Sequence, residues 1–214
     1  DKGWDVKKMI RLMVTSRTYR QSSSLRPELK DLDPNNRLLA SQNPRRLDAE
    51  SLRDAVLATS GKLDLTAGGP GFKDFDYVEA YAPIYNYVSP DKPELWRRSI
   101  YRFSPRGGET SMLDLFDCPD CATAAPKRTA TTTPLQALNL WNGPIAIRLA
   151  ETMAEKIKNE TKMNQEQVQQ VYQKTLGRNP TEIEAKLAGE LASQHGLRAV
   201  CRVLLNSNEF LMVE

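Results

Sequence analysis

Apolar residues recur at three- and four-residue steps in several stretches of the chain, and each such stretch predicts a helix. Val6, Met9, Ile10 and Met13 fall on one side of residues 5–19, with Lys7, Lys8 and Arg11 on the other. QSSSLRPELKDLDPNN then reads as loop, punctuated by serine, proline and paired asparagine. In RRLDAESLRDAVLATSG, residues 45–61, Leu52, Ala55, Val56 and Thr59 form an inward face. Asp48 suits the N-cap of that helix and Gly61 the left-handed position past its end. Residues 62–110 change period. GGPG at 68–71 marks a turn or loop, Tyr77, Glu79 and Tyr81 alternate as a strand would, and so do Tyr85 and Tyr87. RRSIYRFS is also strand-like, and SPRGG closes the region.

From Thr133 the helical period returns. Thr133 caps, Pro134 takes the first position, and Leu135 and Leu138 are expected to face inward. NGP at 142–144 breaks the run, and a second helix follows through Ile145, Leu149, Met153 and Ile157. A third runs from Asn164 through Val168, Val171, Tyr172 and Leu176 to Gly177. Thr181 and Glu184 form a capping box for a fourth, with Ile183, Leu187 and Leu191 expected inward. A fifth covers Leu197 to Leu205, and a short turn holds Glu209 and Phe210. The fold class is therefore mainly α: a helical bundle with a small inserted antiparallel β-hairpin and long loops. Residues 1–214 are expected to form a single domain, with N-terminal helices plus the β insert in 1–133 and a C-terminal helical subdomain in 134–214. No 20–50-residue period repeats, which excludes a solenoid.

Composition narrows the function without naming it. The chain carries 30 Lys and Arg against 27 Asp and Glu, a net charge of +3. Residues 1–60 hold about +4 of it, and residues 61–91 about −3. That is not the basic stripe of a nucleic-acid binder. No apolar run is long enough to span a membrane. The opening DKGWDV lacks the core of a signal peptide and reads as a cut from a larger protein, with any export signal lost. A lone histidine, His195, disfavours most zinc and non-haem iron sites and any triad that does not use it. Cys201 lies in the apolar run LRAVCRVLL and reads as a buried hydrophobe. Cys118 and Cys121 in CPDC have no following histidine to attach haem and no further zinc ligands nearby, which leaves a local disulfide or two free thiols.

Three groups are candidate sites. The first is the charged stripe Arg45, Arg46, Asp48, Glu50, Arg53 and Asp54. Glu50 and Asp54, four residues apart on one helix face, stand about 6 Å apart, within the range of a glycosidase carboxyl pair. Yet Arg53 lies between them, and Arg97, Arg98 and Arg128 are available elsewhere. Cations lower carboxylate pKa values, whereas a general acid needs a raised one, so an arginine–carboxylate network at the fold's centre is the expectation. The second is KRTATTTPLQALN, whose threonines and cations precede a helix start. Thr133 and Gln136 there would either hold an anion or cap the helix. The third is the aromatic band. Nine of the fifteen aromatics lie between Phe72 and Phe103, and Tyr85, Tyr87, Trp96 and Tyr101 would either stack on a ligand such as a sugar or pack the ribbon. GxSxG, P-loop and HExxH motifs are absent.

The ordered motifs RRLDAESLRDAVLATSG, RRSIY, LFDCPD, KRTATTTPLQALNLWN, LGRNPTEIE and LLNSNEFLMV resemble the planctomycete-type C-terminal domain of unknown function, found in large exported proteins that often also carry a planctomycete cytochrome c domain. The resemblance spans nearly the whole chain. It implies a periplasmic or cell-surface location, haem only in another domain, no cofactor in this fragment, and other domains of the same chain as partners. It carries no established activity. VYQKTLGRNPTEIEAK followed by LLNSNEF is also similar to helix-pair modules of bacterial surface and linker proteins. Three functions stay open: a non-catalytic binding or docking module for a glycan or partner, a hydrolase of an extracellular polymer using Glu50, Asp54 or Asp117, and a structural brace for a cytochrome-bearing neighbour.

Overall fold

The computed structural model describes residues 3–24, 26–105, 111–120 and 123–213. In chain order the elements are α1 (Val6–Val14), α2 (Leu29–Leu32), β1 (Arg45–Arg46), α3 (Ala49–Ser60), β2 (Phe75–Val78), β3 (Ile84–Tyr87), α4 (Met112–Leu115), α5 (Pro134–Asn142), α6 (Pro144–Glu160), α7 (Asn164–Leu176), α8 (Glu182–His195), α9 (Leu197–Leu205), α10 (Asn208–Leu211) and β4 (Met212–Val213). The architecture is mainly α with one small inserted hairpin, β2–β3, in which Tyr77 pairs with Tyr85 and Phe75 with Tyr87. The chain separates into two compact units, residues 1–46 with 212–214 and residues 47–211.

In the first unit Asp5 caps α1 by accepting the Lys8 N–H at 3.0 Å. The expected inward face of α1 is not buried: Val6, Met9, Ile10 and Met13 are all about half exposed or more. Spacing specifies which side of a helix is apolar, not that another element covers it. The following loop is ordered by polar side chains. The Asp33 carboxylate accepts the N–H groups of Arg37 and Leu38 at 2.9 and 2.7 Å. Asn36 exchanges hydrogen bonds with the Ser41 backbone. β1 pairs antiparallel with β4, Arg45 opposite Val213 and Arg46 opposite Met212.

The second unit holds the core. Leu52 and Val56 of α3, Leu149, Met153 and Ile157 of α6, Val168 and Val171 of α7, and Val200, Cys201 and Leu205 of α9 pack in one cluster. Cys201 is the buried hydrophobe its context predicts, and burial pushes its thiol pKa up to about 12. The end signals act as read. Asp48 accepts the Ser51 N–H at 2.8 Å, Gly61 and Gly177 take φ of 73° and 70°, and Thr181 and Glu184 form their box.

Two inward faces and one expected strand differ from expectation. On α5, Leu135 and Leu138 are exposed, while Gln136 and Leu140 point inward. Gln136 turns the helix because its amide has buried partners: it donates to the Leu115 carbonyl at 2.9 Å and to Thr131 Oγ1 at 3.0 Å. On α8, Ile183 and Leu187 are exposed, and the small side chain of Ala188 faces the bundle instead, with Leu191 and Ala192 packed beside it. RRSIYRFS is not a strand. Ser99–Tyr101 form a 3₁₀ turn, and only single bridges join Asp64 to Arg97 and Phe72 to Arg102. Of the CPDC pair, Cys121 lies outside the described residues, as does most of SPRGG.

Candidate functional site

Four separate clusters receive the candidate residues of unit 47–211; Arg45 and Arg46 belong to the other unit. The first cluster is at the start of α3. The Arg128 guanidinium grips Glu50 with two hydrogen bonds of 2.7 Å and stands 3.9 Å from Asp48. The bidentate fork is the arrangement in which arginine binds carboxylate most strongly. It holds the Glu50 carboxyl below its ordinary value, and partial burial opposes it only in part.

The second cluster lies one turn further along α3. Asp54 accepts both the backbone N–H and the hydroxyl of Ser99 at 2.7 Å, with Arg53 and Arg98 nearby at 3.7 and 3.6 Å. Arg53 is buried, 7% exposed, and is spent mainly on backbone. It donates to the carbonyls of Leu95 and Arg97 and to Ser99 Oγ, and its plane lies over Phe72. Burial lowers the Arg53 pKa, an effect that Asp54 and Asp74 oppose. Arg97 serves the glycine-rich loop, donating to the carbonyls of Thr66, Gly68 and Pro70 while stacked on Tyr101 at 4.3 Å. The Tyr101 hydroxyl accepts the Gly68 N–H at 3.1 Å. Trp96 sits under Lys62 and donates its indole N–H to Asp91.

In the third cluster Thr133 caps α5 and, with Gln136, forms a reciprocal box. Thr131 donates its N–H and hydroxyl to Asp117, which takes a positive φ of 64°. These threonines are thus turned inward on the chain's own groups. The fourth cluster is the hairpin. Phe75 is its buried anchor, met edge-on by Tyr85 and Tyr87 at 5.1 and 6.1 Å. Arg102 lies over Tyr87 and binds Asp74 at 2.8 Å. Outward of that anchor, Tyr77 leans on Tyr85 at 5.6 Å and is exposed, as is Tyr81 in the connecting turn. Among the described residues no three His, Cys, Asp or Glu side chains converge as a metal site would require. Among the described residues no helix is long and apolar enough to cross a membrane.

A family model described as PSD1, protein of unknown function (DUF1553), matches residues 1–192. The chain belongs to the PSD1 family. No curated protein and no solved structure matches it. The match to PSD1 reaches through α7 and most of α8, so it takes in all four clusters.

One hub of this PSD1 chain escaped the sequence reading. Arg178, in the turn after α7, donates to both oxygens of Glu184 at 2.8 Å and to both oxygens of Glu209 at 2.6 and 2.7 Å. It also lies over Tyr172. The Glu184 carboxyl is held down to about 2, chiefly by the Arg178 hydrogen bonds. The hub ties LGRNPTEIE to NSNEF, the two motifs that stand out near the C-terminus. Its signal was present as an arginine after a helix-ending glycine, but nothing in the spacing pairs it with Glu209.

Proposed function

We propose that this PSD1 chain is a non-catalytic binding module of an exported multidomain protein, with the hairpin as its ligand-facing element and a glycan as its ligand. The carrying observation is the hairpin's outer face. Tyr77 and Tyr81 are exposed, and within the described residues neither hydroxyl makes a hydrogen bond. A tyrosine presented this way offers a flat apolar surface with a polar tip, the combination that suits a sugar ring. Arg102, bound to Asp74 and lying over Tyr87, holds the hairpin at its base, which lowers the ordering cost of stacking on it. The hydrolase reading has less support. Glu50, Asp54 and Asp117 are bound to arginine, to a serine with its backbone, and to a threonine, and the Arg128 hydrogen bonds hold the Glu50 carboxyl below its ordinary value, opposite to what a general acid requires. Export, a planctomycete-type parent protein and a cytochrome-bearing neighbour remain expectations from the motif resemblance.

A glycan array probed with the chain and with a Tyr77→Ser, Tyr81→Ser double variant tests the proposal. Retention of a glycan class by the parent and its loss in the variant, at unchanged melting temperature, is the expected result. No retained glycan, or equal retention by both proteins, defeats the glycan reading. The brace reading has one observation in its favour: Leu135 and Leu138 are exposed beside a shallow groove at the α5–α6 corner. Co-purification of a neighbouring domain that is lost in Leu138→Asp would support it.

A further inference from the structure

α1 and α9 both divide apolar from charged side chains cleanly, but they use the division differently. α9 buries Leu197, Val200, Cys201 and Leu204 in the bundle, whereas no residue of α1 is buried. Val6, Met9, Ile10, Leu12, Met13 and Val14 keep between 39% and 67% of their surface exposed. At roughly 100° per residue these six fill an arc of roughly 200°, and the rest of the helix is Lys7, Lys8 and Arg11. A helix packed on a core usually needs an apolar stripe only about half as wide. A broad apolar arc opposite an all-cationic face is the form of a helix that lies in a membrane interface.

Two further observations say what covers this face. The first is charge. Residues 3–20 hold five cations, Lys7, Lys8, Arg11, Arg17 and Arg20, against the single carboxylate of Asp5, which is engaged in capping the helix. All five cations are exposed, and none makes an ion pair among the described residues. Lys7 and Lys8 border the apolar arc on its two sides. Pairing this face with a second copy would bring like charges together at both borders, with no acidic side chain on α1 to meet them. An anionic surface answers every one of them. The second is the aromatic residue at each end. Trp4, just before the helix, is 96% exposed, and Tyr19, in the turn after it, is 54% exposed. Tryptophan and tyrosine favour the headgroup level, where an apolar ring and a polar tip are both satisfied.

We propose that α1, with Trp4 and Tyr19 at its ends, docks on the surface of an anionic lipid bilayer. Its apolar arc enters the boundary between headgroups and acyl chains, and its lysines and arginines reach back to lipid phosphates. The helix has nine residues, so at about 13 Å it is less than half the thickness of the hydrocarbon core and lies on the bilayer without crossing it. The hairpin tyrosines take no part, so this docking and the glycan reading fail separately. Flotation of the whole chain with phosphatidylcholine vesicles containing about one-third phosphatidylglycerol, and in parallel with phosphatidylcholine alone, is the test. The chain is expected to float with the mixed vesicles and to bind the neutral ones at least about tenfold more weakly. Ile10→Glu is expected to weaken flotation about tenfold or more. A Lys7→Glu, Lys8→Glu double variant is expected to fall to the level seen with neutral vesicles. Both should keep the parent melting temperature, since none of these side chains is buried. No flotation with the mixed vesicles, equal binding to both kinds, or parental flotation by the lysine variant would each overturn the proposal. So would a dimer broken by Ile10→Glu in a chain that does not float, which would give the face to a second copy. If Ile10→Glu lowers the melting temperature, the lysine variant and the neutral vesicles still decide.

Discussion

The helices from Pro134 to Leu211 bury Leu140, Leu149, Met153, Ile157, Val168, Val171, Val200 and Leu205, whereas residues 62–105 fully bury only Phe72, Phe75 and Ser99. The second region is nevertheless held in a defined path. Arg53 binds the carbonyls of Leu95 and Arg97, Arg97 those of Thr66, Gly68 and Pro70, and Arg148 that of Ser89. A loop-rich segment has carbonyls that no helix or sheet satisfies, and buried carbonyls need donors. Arginine, with five N–H groups in a rigid fork, can serve several at once. One region is thus assembled by excluding water from apolar surface, and the other by guanidinium groups that answer backbone.

Arg53→Ala should break this contrast most sharply. It strands the carbonyls of Leu95 and Arg97 and removes a cation beside Asp54. Removing one partner of a buried charged cluster costs about 3–5 kcal/mol. The loss should be local, so hydrogen exchange should accelerate across 62–105 while α6, α7 and α9 stay protected. Uniform acceleration throughout the chain would mean the arginine supports the whole core. Ile157→Ala is the reciprocal experiment. Ile157 is fully buried where α6 meets the bundle, and such truncations cost about 2–5 kcal/mol. Here the transition midpoint in denaturant should fall for every probe together. A midpoint unchanged within error would show that the helical half does not rest on that cluster.

These two regions also explain what was legible in the sequence. Helix ends were readable because Asp48, Gly61, Gly177 and the Thr181–Glu184 pair act within four residues of themselves. The inward faces of α3, α6, α7 and α9 were readable because a bundle core rewards apolar residues at helical spacing. The Glu50–Arg128 pair was within reach, since like is matched with opposite charge, though its partners lie 78 residues apart. The arginine–carbonyl contacts were not legible: every residue has a carbonyl, so the acceptor leaves no mark in the sequence. RRSIY was mistaken for a strand for the same reason. Ile100 and Tyr101 are strand-forming residue types, yet the turn is fixed by Asp54 accepting from Ser99, an agreement between groups 45 residues apart.

Acid should weaken the helical region through Glu184, and the start of α3 through Glu50. Glu50 pairs with Arg128, and Glu184 with Arg178, and both have folded pKa values below the ordinary 4.5. A depressed folded pKa adds stability above the unfolded value and loses it as pH falls through the folded one. The window for Glu184 therefore runs from 4.5 down to about 2. Glu184→Gln keeps the shape of the capping box but gives up the ion pair. Its melting temperature should lie below the parent's at neutral pH, and the two curves should converge as pH nears 2. Both partners are about one-third exposed, so the gap at neutral pH should be modest, about 1 kcal/mol or less. A constant gap at all pH values would assign the effect to lost geometry instead of charge.

The smallest expected effect tests the orientation of α5. On spacing alone Leu135 and Leu138 belong inside, and replacing either by serine would then cost as much as a core truncation. In the structure they are 63% and 54% exposed, and the inward positions of that helix are Gln136 and Leu140, one turn apart. Gln136 has both ends of its amide engaged, donating to Leu115 and Thr131 and accepting from the Thr133 N–H. A buried amide with all these partners fixes the helix's rotation more firmly than two leucines can, because turning it outward would leave the Leu115 carbonyl and the Thr131 hydroxyl short of a donor. Leu138→Ser should therefore shift stability by no more than about 0.5 kcal/mol, whereas Gln136→Leu, the more hydrophobic change at the neighbouring position, should lower it. If the ranking is reversed in thermal unfolding, α5 is turned the other way and the leucines are core after all.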